Sequence, residues 1–190
     1  MAKIAIVVGN PMTDSYSEAL GQAYKRGADS GGHEAKLFVL SRMAFDPILR
    51  GGYRHLQPFE PDLVAAHAAL LACDHMVFIF PLWCGDMPAL MKGFIERVLQ
   101  PELLEVQRSK GKLDVFKGKS AHVIMTMGMP GWFYRWYFGA HALKLFKRNV
   151  LKFTGVHPVR STIYGMIEAV GDDKRKQWLR EVEALGHQAR

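Results

Sequence analysis

The sequence has few of the residues that build disulfide frameworks and zinc sites. Its 190 residues include only two cysteines, Cys73 and Cys84. They form neither a Cys-x-x-Cys pair nor the spacing of a metal site, so disulfide and metal-centre interpretations are weak. Cys84 is interpreted as a small loop residue rather than as a redox thiol, and no metal is expected.

Long apolar runs are also missing, and none approaches the length of a membrane span. The chain begins almost directly on a strand pattern at Lys3–Val8, without the charged, apolar and small-residue regions of a signal peptide. These features predict a cytoplasmic protein with no membrane insertion. The length fits one domain over residues 1–190 with a sizeable core.

Two phosphate-binding motifs are absent as well. The first strand is followed by Gly9 alone, whereas a Rossmann fingerprint needs Gly-x-Gly-x-x-Gly at that point, and the Gly-Lys-Ser/Thr of a P-loop does not occur. A tightly held NAD in a Rossmann pocket is therefore not expected.

Charge is unbalanced, with a formal net charge of +7. Basic residues cluster at Arg108–Lys119 and Lys144–Lys152, and neither cluster has the pattern of a zinc finger or an RNA-recognition motif, so no nucleic acid partner is expected. A solvated surface is the default interpretation of these clusters, and attraction of NADPH phosphates is the functional alternative.

Short β-rich runs alternate with helical stretches along the chain. The predicted strands are Lys3–Val8, Ala35–Leu40, His75–Phe80, Ala121–Met127 and Val159–Tyr164. The predicted helices are Ser17–Ser30, Pro61–Ala72, Ala89–Leu99, Tyr137–Phe153 and Asp172–His187. The alternation indicates an α/β fold, a doubly wound parallel sheet with helices on both faces. Two stretches, Arg42–Phe59 and Pro101–Lys119, are predicted to be irregular and longer than ordinary connections.

Three loops follow predicted strands at the edge of the sheet where ligands bind in such folds. The first, Gly9–Ser17, opens a helix and offers hydroxyls and N–H groups to a phosphate, although helix capping explains the same residues. The second ends a buried strand at Pro81 and continues through Trp83 to a helix that Pro88 opens. With little charge, it suits a flat aromatic ring better than a metal or a sugar. The third, Thr126–His141, is glycine-containing and strongly aromatic.

The second loop carries a resemblance to a known family. Its pattern Phe-Pro-Leu-Trp-x-x-x-x-Pro-Ala-x-x-Lys-Gly-Phe-x-Glu-Arg-Val over residues 80–98 resembles the NAD(P)H:quinone oxidoreductases with the flavodoxin-like fold. Relatives of these enzymes include ancillary oxidoreductase subunits of potassium-efflux systems. Asn10, the Ser15-Tyr16-Ser17 helix start and the Thr126-x-Gly-x-Pro-Gly131 segment also match the family.

The resemblance implies a flavodoxin-like, three-layer α/β/α fold with a five-stranded parallel sheet of order 2-1-3-4-5. It implies non-covalently bound FMN or FAD, with NAD(P)H as a transient electron donor and a quinone or similar planar acceptor, in a homodimer. Hydride transfer would follow a two-electron ping-pong cycle. The residues implied in cofactor binding are Asn10, Ser15, Tyr16, Ser17, Pro81, Leu82, Trp83, Cys84, Thr126, Met127, Gly128 and Met129.

By the same resemblance, Tyr134 falls where the family carries an active-site tyrosine. His141 lies one place beyond the family histidine, and Met129 replaces a glycine common in the family. Tyr134 and His141 are the candidate catalytic residues, although a lone histidine is more often structural.

Two other functions stay open at this point. A regulatory subunit docked on a potassium-efflux transporter could use the basic segment 108–119 as its docking surface. A one-electron flavodoxin carrier is the third possibility, but such carriers are usually acidic and this chain is basic.

Overall fold

The computed structural model describes residues 1–109 and 114–189, with only the backbone described for 106–109. Five parallel strands form one sheet: β1 (Lys3–Val8), β2 (Glu34–Val39), β3 (His75–Pro81), β4 (Ser120–Thr126) and β5 (Val159–Tyr164). Their order is β2-β1-β3-β4-β5, which confirms the expected topology. All seven residues of β3 are buried, as its continuous apolar run predicts for a central strand covered on both faces.

In the described part of the chain, seven α-helices flank the sheet: α1 (Tyr16–Ser30), α2 (Pro61–Ala72), α3 (Ala89–Val98), α4 (Gln100–Ser109), α5 (Gly131–Trp136), α6 (His141–Leu145) and α7 (Asp172–His187). Helices α1 and α7 contribute to the apolar core on one face of the sheet, which includes Leu20 and Val182. Helices α2, α3 and α6 contribute to the core on the other face, which includes Leu63, Phe94 and Leu143. The chain therefore forms the three-layer arrangement.

Helices α1 and α7 approach each other very closely through two glycines. A Cβ built on Gly27 would lie 1.8 Å from the carbonyl oxygen of Glu183, and one on Gly186 would lie 2.1 Å from that of Tyr24. Only glycine leaves room for backbones at this separation. The contact lies in the last two turns of both helices, which it holds side by side on one face of the sheet.

Two predicted stretches differ from the structure. The single helix predicted over Tyr137–Phe153 is wrong: Gly139 and Ala140 adopt left-handed φ angles of 58° and 51°, which separate α5 from α6. After α6 the chain continues as a π-helical segment, Phe146–Lys152. The irregular stretch predicted from Pro101 instead begins inside α4, since proline is tolerated in a first helical turn.

The irregular stretch between β2 and α2 follows the prediction apart from a short 3-10 helix at Leu40–Arg42. It is fastened to the core by Arg97 of α3, whose side chain is fully buried. The Arg97 guanidinium donates to the carbonyl oxygens of Asp46 and Pro58 and to the Glu60 carboxylate, the last at 2.8 Å. A buried arginine paired in this way is a structural tie, because its charge is paired and both of its terminal nitrogens are hydrogen-bonded, while its Nε has no partner among the described residues.

Candidate functional site

The first wall of the candidate site is the start of α1. Ser15 caps the helix, and its Oγ accepts a hydrogen bond from the Glu18 amide at 3.3 Å. A capping hydroxyl keeps its own hydrogen and can still donate. The amides of Tyr16 and Ser17 make no hydrogen bond within the described residues, as expected for the first turn of a helix. This turn can therefore receive a phosphate.

The loop before α1 is held in shape by its own side chains. The Asn10 Oδ1 atom accepts from the Met12 amide at 3.0 Å, and its Nδ2 lies 3.5 Å from the Ser17 Oγ. Asp14, at a left-handed φ of 54°, donates its amide to Glu18. The same side chains therefore support both interpretations of this loop, as a phosphate site and as a helix cap.

The carboxylates of this loop and of the first turn of α1 are neutralised by an arginine of the same chain. Arg42 bonds Asp14 at 2.7 Å and Glu18 at 3.0 Å. The hydrogen bond to Glu18 is the largest cause that raises the pKa of Arg42. An anion at the start of α1 would consequently meet free N–H groups rather than uncompensated carboxylates.

The second wall is the turn after β3. Trp83 and Asp86 exchange backbone hydrogen bonds of 2.8 and 2.9 Å, and the residues between them, Cys84 and Gly85, have φ angles of 49° and 83°. Two left-handed residues in succession make the tight turn that closes a two-residue hairpin. Trp83 is 41% exposed and presents its ring at the site, while Cys84 lies at the tip of the turn and does not line the site.

The third wall is the segment after β4. The carbonyl oxygens of Met127 and Met129 accept the amides of Ile167 and Met166, each at 3.1 Å, so this loop is tied to the segment after β5. In contrast, the amides of Gly128 and Met129 make no hydrogen bond among the residues that the structure describes. A Cβ built on Gly128 would meet nothing within 4 Å. The loop therefore offers free donors and open space.

These walls enclose one cleft of about 670 Å³ at the carboxyl edge of the sheet. The cleft brings together most of the predicted binding residues, namely Asn10, Ser15, Tyr16, Ser17, Pro81, Leu82, Trp83, Thr126, Met127 and Gly128. Cys84, Met129, Tyr134 and His141 do not line it. Its volume lies within the range of small-molecule sites.

Three lining residues come from a wall that the sequence interpretation missed. Ile167 and Glu168 follow β5, and Arg175 lies in the first turn of α7. Arg175 donates to the carbonyl oxygens of Ile167 and Val170 at 3.2 and 2.9 Å, which fixes the turn after β5. The sequence could have indicated this wall, because the residues after a fifth parallel strand must lie at the same edge of the sheet as those after the other strands.

Tyr16 joins this fourth wall to the first. Its hydroxyl donates to the Arg175 carbonyl oxygen at 2.8 Å, and burial raises its pKa to about 12. The hydroxyl is thus protonated at neutral pH and already engaged in a bond between α1 and α7. What Tyr16 offers the cleft is mainly its ring.

The two candidate catalytic side chains lie behind the third wall. Tyr134 of α5 is 2% exposed, and its hydroxyl accepts the Leu143 amide at 3.2 Å. Burial raises the pKa of Tyr134, so its proton remains available for donation at neutral pH. His141 is exposed at the start of α6, with its ring next to Gly139.

Two further findings limit the kind of site. Within residues 1–109 and 114–189, no group of three or more His, Cys, Asp or Glu side chains could hold a metal ion. Nor does any helix of the described chain combine the length and apolarity needed to cross a bilayer. In the basic segment 108–119 predicted for transporter docking, residues 110–113 and the side chains of 108 and 109 lie outside the described part of the chain.

A parallel sheet of order 2-1-3-4-5 with a cleft at its carboxyl edge defines the flavodoxin-like class of proteins. The chain belongs to the Flavodoxin_2 family, described as having a flavodoxin-like fold, whose sequence profile matches residues 2–186.

Individual relatives are similar only at low identity. An uncharacterized NAD(P)H oxidoreductase of Haemophilus influenzae is 24% identical over 182 residues, covering 93% of this chain and 89% of the relative. NAD(P)H dehydrogenase (quinone) 1 of Rattus norvegicus is 27% identical over 135 residues, which span 66% of this chain and 49% of the rat protein. The chain thus matches about half the length of that relative.

The fold is shared with a solved structure over nearly the whole chain. The NAD(P)H:quinone oxidoreductase from Methanothermobacter marburgensis superposes with a TM-score of 0.78 at 23% identity, covering 98% of this chain and 95% of the other. The likeness shows that the two chains have the same fold.

Proposed function

We propose that the cleft binds FMN or FAD and that the protein is an NAD(P)H oxidoreductase acting on a quinone or another planar acceptor. One observation carries the proposal: a half-exposed tryptophan, free N–H groups and an unobstructed helix start all face one cleft. Oxidoreductase names among its relatives support the same activity.

The donor set fits a flavin. The amides of Tyr16 and Ser17, with the Ser15 hydroxyl, would hold its phosphate. Trp83 and the buried Pro81 would border its planar ring system, and the free amide of Gly128, which lines the cleft, would donate to the polar edge of that ring. When bound, the flavin supplies hydride transfer from NAD(P)H to the acceptor in a ping-pong cycle.

The chain's own part in this chemistry is positional and electrostatic. Donors fixed before reaction stabilise negative charge as it develops, and each is worth about 3–4 kcal/mol in favourable cases. Gly128 and Met129 are fixed because the neighbouring carbonyl oxygens bond the segment after β5. We retain Tyr134 and His141 as proposed catalytic residues, and a homodimer as the proposed assembly.

One observation supports the homodimer. Helix α5 and the residues just after it expose large aromatic side chains: Trp132 is 69% exposed, Trp136 79% and Tyr137 66%. An exposed aromatic patch of this kind is typical of a protein–protein interface. Sedimentation equilibrium of wild type and of Trp136→Ser tests it, and a wild-type monomer at micromolar concentration would contradict it.

The test of the activity is optical. Purified protein loaded with FMN or FAD should retain the yellow cofactor through gel filtration, and anaerobic NADH or NADPH should bleach its absorbance. Quinone added afterwards should restore the colour. Protein that stays colourless after loading, or a bound flavin that neither donor bleaches, would contradict the proposal.

Tyr134→Phe separates a role in turnover from a role in binding. We expect kcat to fall about tenfold while flavin occupancy changes less, because a pre-placed proton donor is lost and the ring remains. Tyr137→Phe, a tyrosine from the same segment that is mostly exposed, is the matched control. Equal kinetics in both variants would remove Tyr134 from the proposed mechanism.

A further inference from the structure

A second cavity, of about 610 Å³, lies beside β5 and shares no lining residue with the cleft. Half of its ten lining residues are basic: Arg135, Lys144, Lys147, Arg148 and Lys152. The remaining residues are small or apolar apart from Ser161, and no carboxylate lines the cavity. Positive charge is therefore gathered around a space large enough for more than a single phosphate group.

These five cations surround one cavity without an ion-pair partner in the described residues. Elsewhere in the described residues, seven lysine and arginine side chains pair with carboxylates, among them Arg42, Arg97 and Arg175. In the same part of the chain, none of the five cavity cations does so. The five positive charges that line this cavity therefore repel one another without a carboxylate to offset them.

Lys147 shows the electrostatic consequence. Its Nζ donates to the Ser161 Oγ at 3.3 Å, which points the ammonium group toward β5. Burial is the main cause that lowers the pKa of Lys147, and the positive charges of Lys152 and Arg135 lower it further. An anion in the cavity would relieve this repulsion.

The backbone brings these positive charges close together, which lowers the stability of the helical segment. Lys144, Arg148 and Lys152 follow one another at intervals of four residues, and like charges at this spacing destabilise a helix. Three of the five cations lie in the π-helical segment, a rare conformation that often occurs at functional sites. A purely structural role for these side chains would not require such an arrangement.

We propose that this cavity is a second anion site, which binds a phosphorylated small molecule. The basic residues hold its phosphate ester or pyrophosphate group, and the apolar floor formed by Ala140, Leu143 and Ile163 receives part of its organic moiety. The site is independent of flavin binding in the cleft. Its phosphate can belong to the 2′-phosphate of NADPH or to a separate metabolite, and the two sources are separable by experiment.

The primary test is calorimetric titration of the full chain with inorganic pyrophosphate, with and without saturating FMN. We compare the double variant Lys144→Gln/Arg148→Gln with Lys176→Gln/Arg180→Gln. Both pairs are exposed, four residues apart and identical in the charge that they remove, but the second lies on α7 away from the cavity. Because all four side chains are exposed, both variants should keep the wild-type circular dichroism.

The expected result is a dissociation constant raised at least tenfold in the cavity variant and less than twofold in the α7 variant, whether FMN is present or not. Equal weakening in both variants would assign the binding to general surface charge and overturn the proposal. Pyrophosphate binding that FMN abolishes and the cavity variant leaves unchanged would assign it to the cleft, with the same consequence.

Two further arms identify the source of the phosphate. If adenosine 2′,5′-bisphosphate loses affinity in the cavity variant and the KM rises for NADPH but not for NADH, the dinucleotide is the ligand. If pyrophosphate loses affinity while the two KM values keep their ratio, the ligand is a separate phosphorylated molecule. Either outcome supports a phosphate site in the cavity.

Discussion

The cleft at the sheet edge and the basic cavity beside β5 are similar in volume and opposite in chemistry. The cleft offers backbone amides, hydroxyls and an aromatic ring, and the cations close to it are paired, as in Arg42 with Asp14 and Glu18. The cavity offers five cations without a described carboxylate partner. The excess positive charge behind the net charge of +7 is therefore not gathered around the proposed flavin site. We therefore expect recognition in the proposed flavin site to depend on shape and fixed dipoles, and recognition in the proposed anion site to depend on charge.

Gly128→Leu should give the largest effect, because it closes the cleft and leaves the basic cavity open. Space beyond Gly128 is free of protein atoms, so the leucine fills the cleft without straining the fold. We expect the FMN dissociation constant to rise at least ~100-fold, about 2.7 kcal/mol, and pyrophosphate affinity to stay unchanged. Fluorescence titration of FMN and calorimetry of pyrophosphate measure the two.

Gly171→Leu is the control for that substitution. Gly171 also has open space around its missing Cβ, but it does not line the cleft. FMN affinity should survive there within twofold. Equal loss of FMN in the two variants would mean that leucine acts through the fold rather than by occupying the site.

The second-largest difference between the two sites should be the dependence of ligand affinity on salt concentration. Screening weakens interactions between exposed charges, and between 50 and 300 mM NaCl we expect pyrophosphate binding to weaken about tenfold. FMN binding should weaken less than threefold, because hydrogen bonds and ring contacts are less sensitive to ionic strength. Parallel salt slopes for the two ligands would erase the proposed difference between the sites.

Tyr16→Phe tests whether the Tyr16 hydroxyl contributes to FMN binding or only to the stability of the fold. Since the Tyr16 hydroxyl already donates to the Arg175 carbonyl oxygen, its loss should leave FMN affinity within about threefold and lower the free energy of unfolding by about 1 kcal/mol. Urea denaturation measures the second effect. A large loss of FMN with unchanged stability would instead place the hydroxyl in ligand binding.

The same variant has a pH signature. The pKa of Tyr16 is raised from 10.0 to about 12, so the stability linked to its protonated hydroxyl is complete below pH 10 and is lost as the pH rises toward 12. Unfolding curves of wild type and Tyr16→Phe should therefore converge over that interval. A constant difference across it would contradict the burial of the hydroxyl.

Much of the cleft was predictable from sequence because one rule governs it: parallel strands end at a common edge. Continuous apolar runs identify β1 and β3, and the residues that follow these strands must then meet. Ile167 and Arg175 follow from the same rule applied to β5. Cys84 lies outside the cleft lining because the left-handed turn that carries it is set by backbone angles, which sequence reveals for Gly85 but not for cysteine.

The basic cavity was less accessible to that reasoning. The cluster at Lys144–Lys152 is visible in the sequence, but a solvated helix face predicts the same residues. What makes it a cavity is the break at Gly139–Ala140, which separates α5 from α6, and the outer side of β5 at Ser161 and Ile163. An alanine in the left-handed region has no sequence signature, so the turn could not be foreseen.

Lys147→Gln should give the smallest effect on stability, and this effect should depend most directly on the unpaired charge of the Lys147 ammonium group. Because the folded protein lowers the pKa of Lys147 below its ordinary 10.5, the charged form is less favourable folded than unfolded at neutral pH. Removing the charge should raise the free energy of unfolding at pH 7 by roughly 0.5 kcal/mol at most, while pyrophosphate affinity falls. Above pH 10.5, the ordinary pKa of lysine, Lys147 loses its charge in the unfolded chain as well. The difference in free energy of unfolding between wild type and Lys147→Gln should therefore vanish there. Urea denaturation at pH 7 and near pH 11 checks both statements, and a variant less stable than wild type at pH 7 would show that the Lys147–Ser161 hydrogen bond outweighs the repulsion.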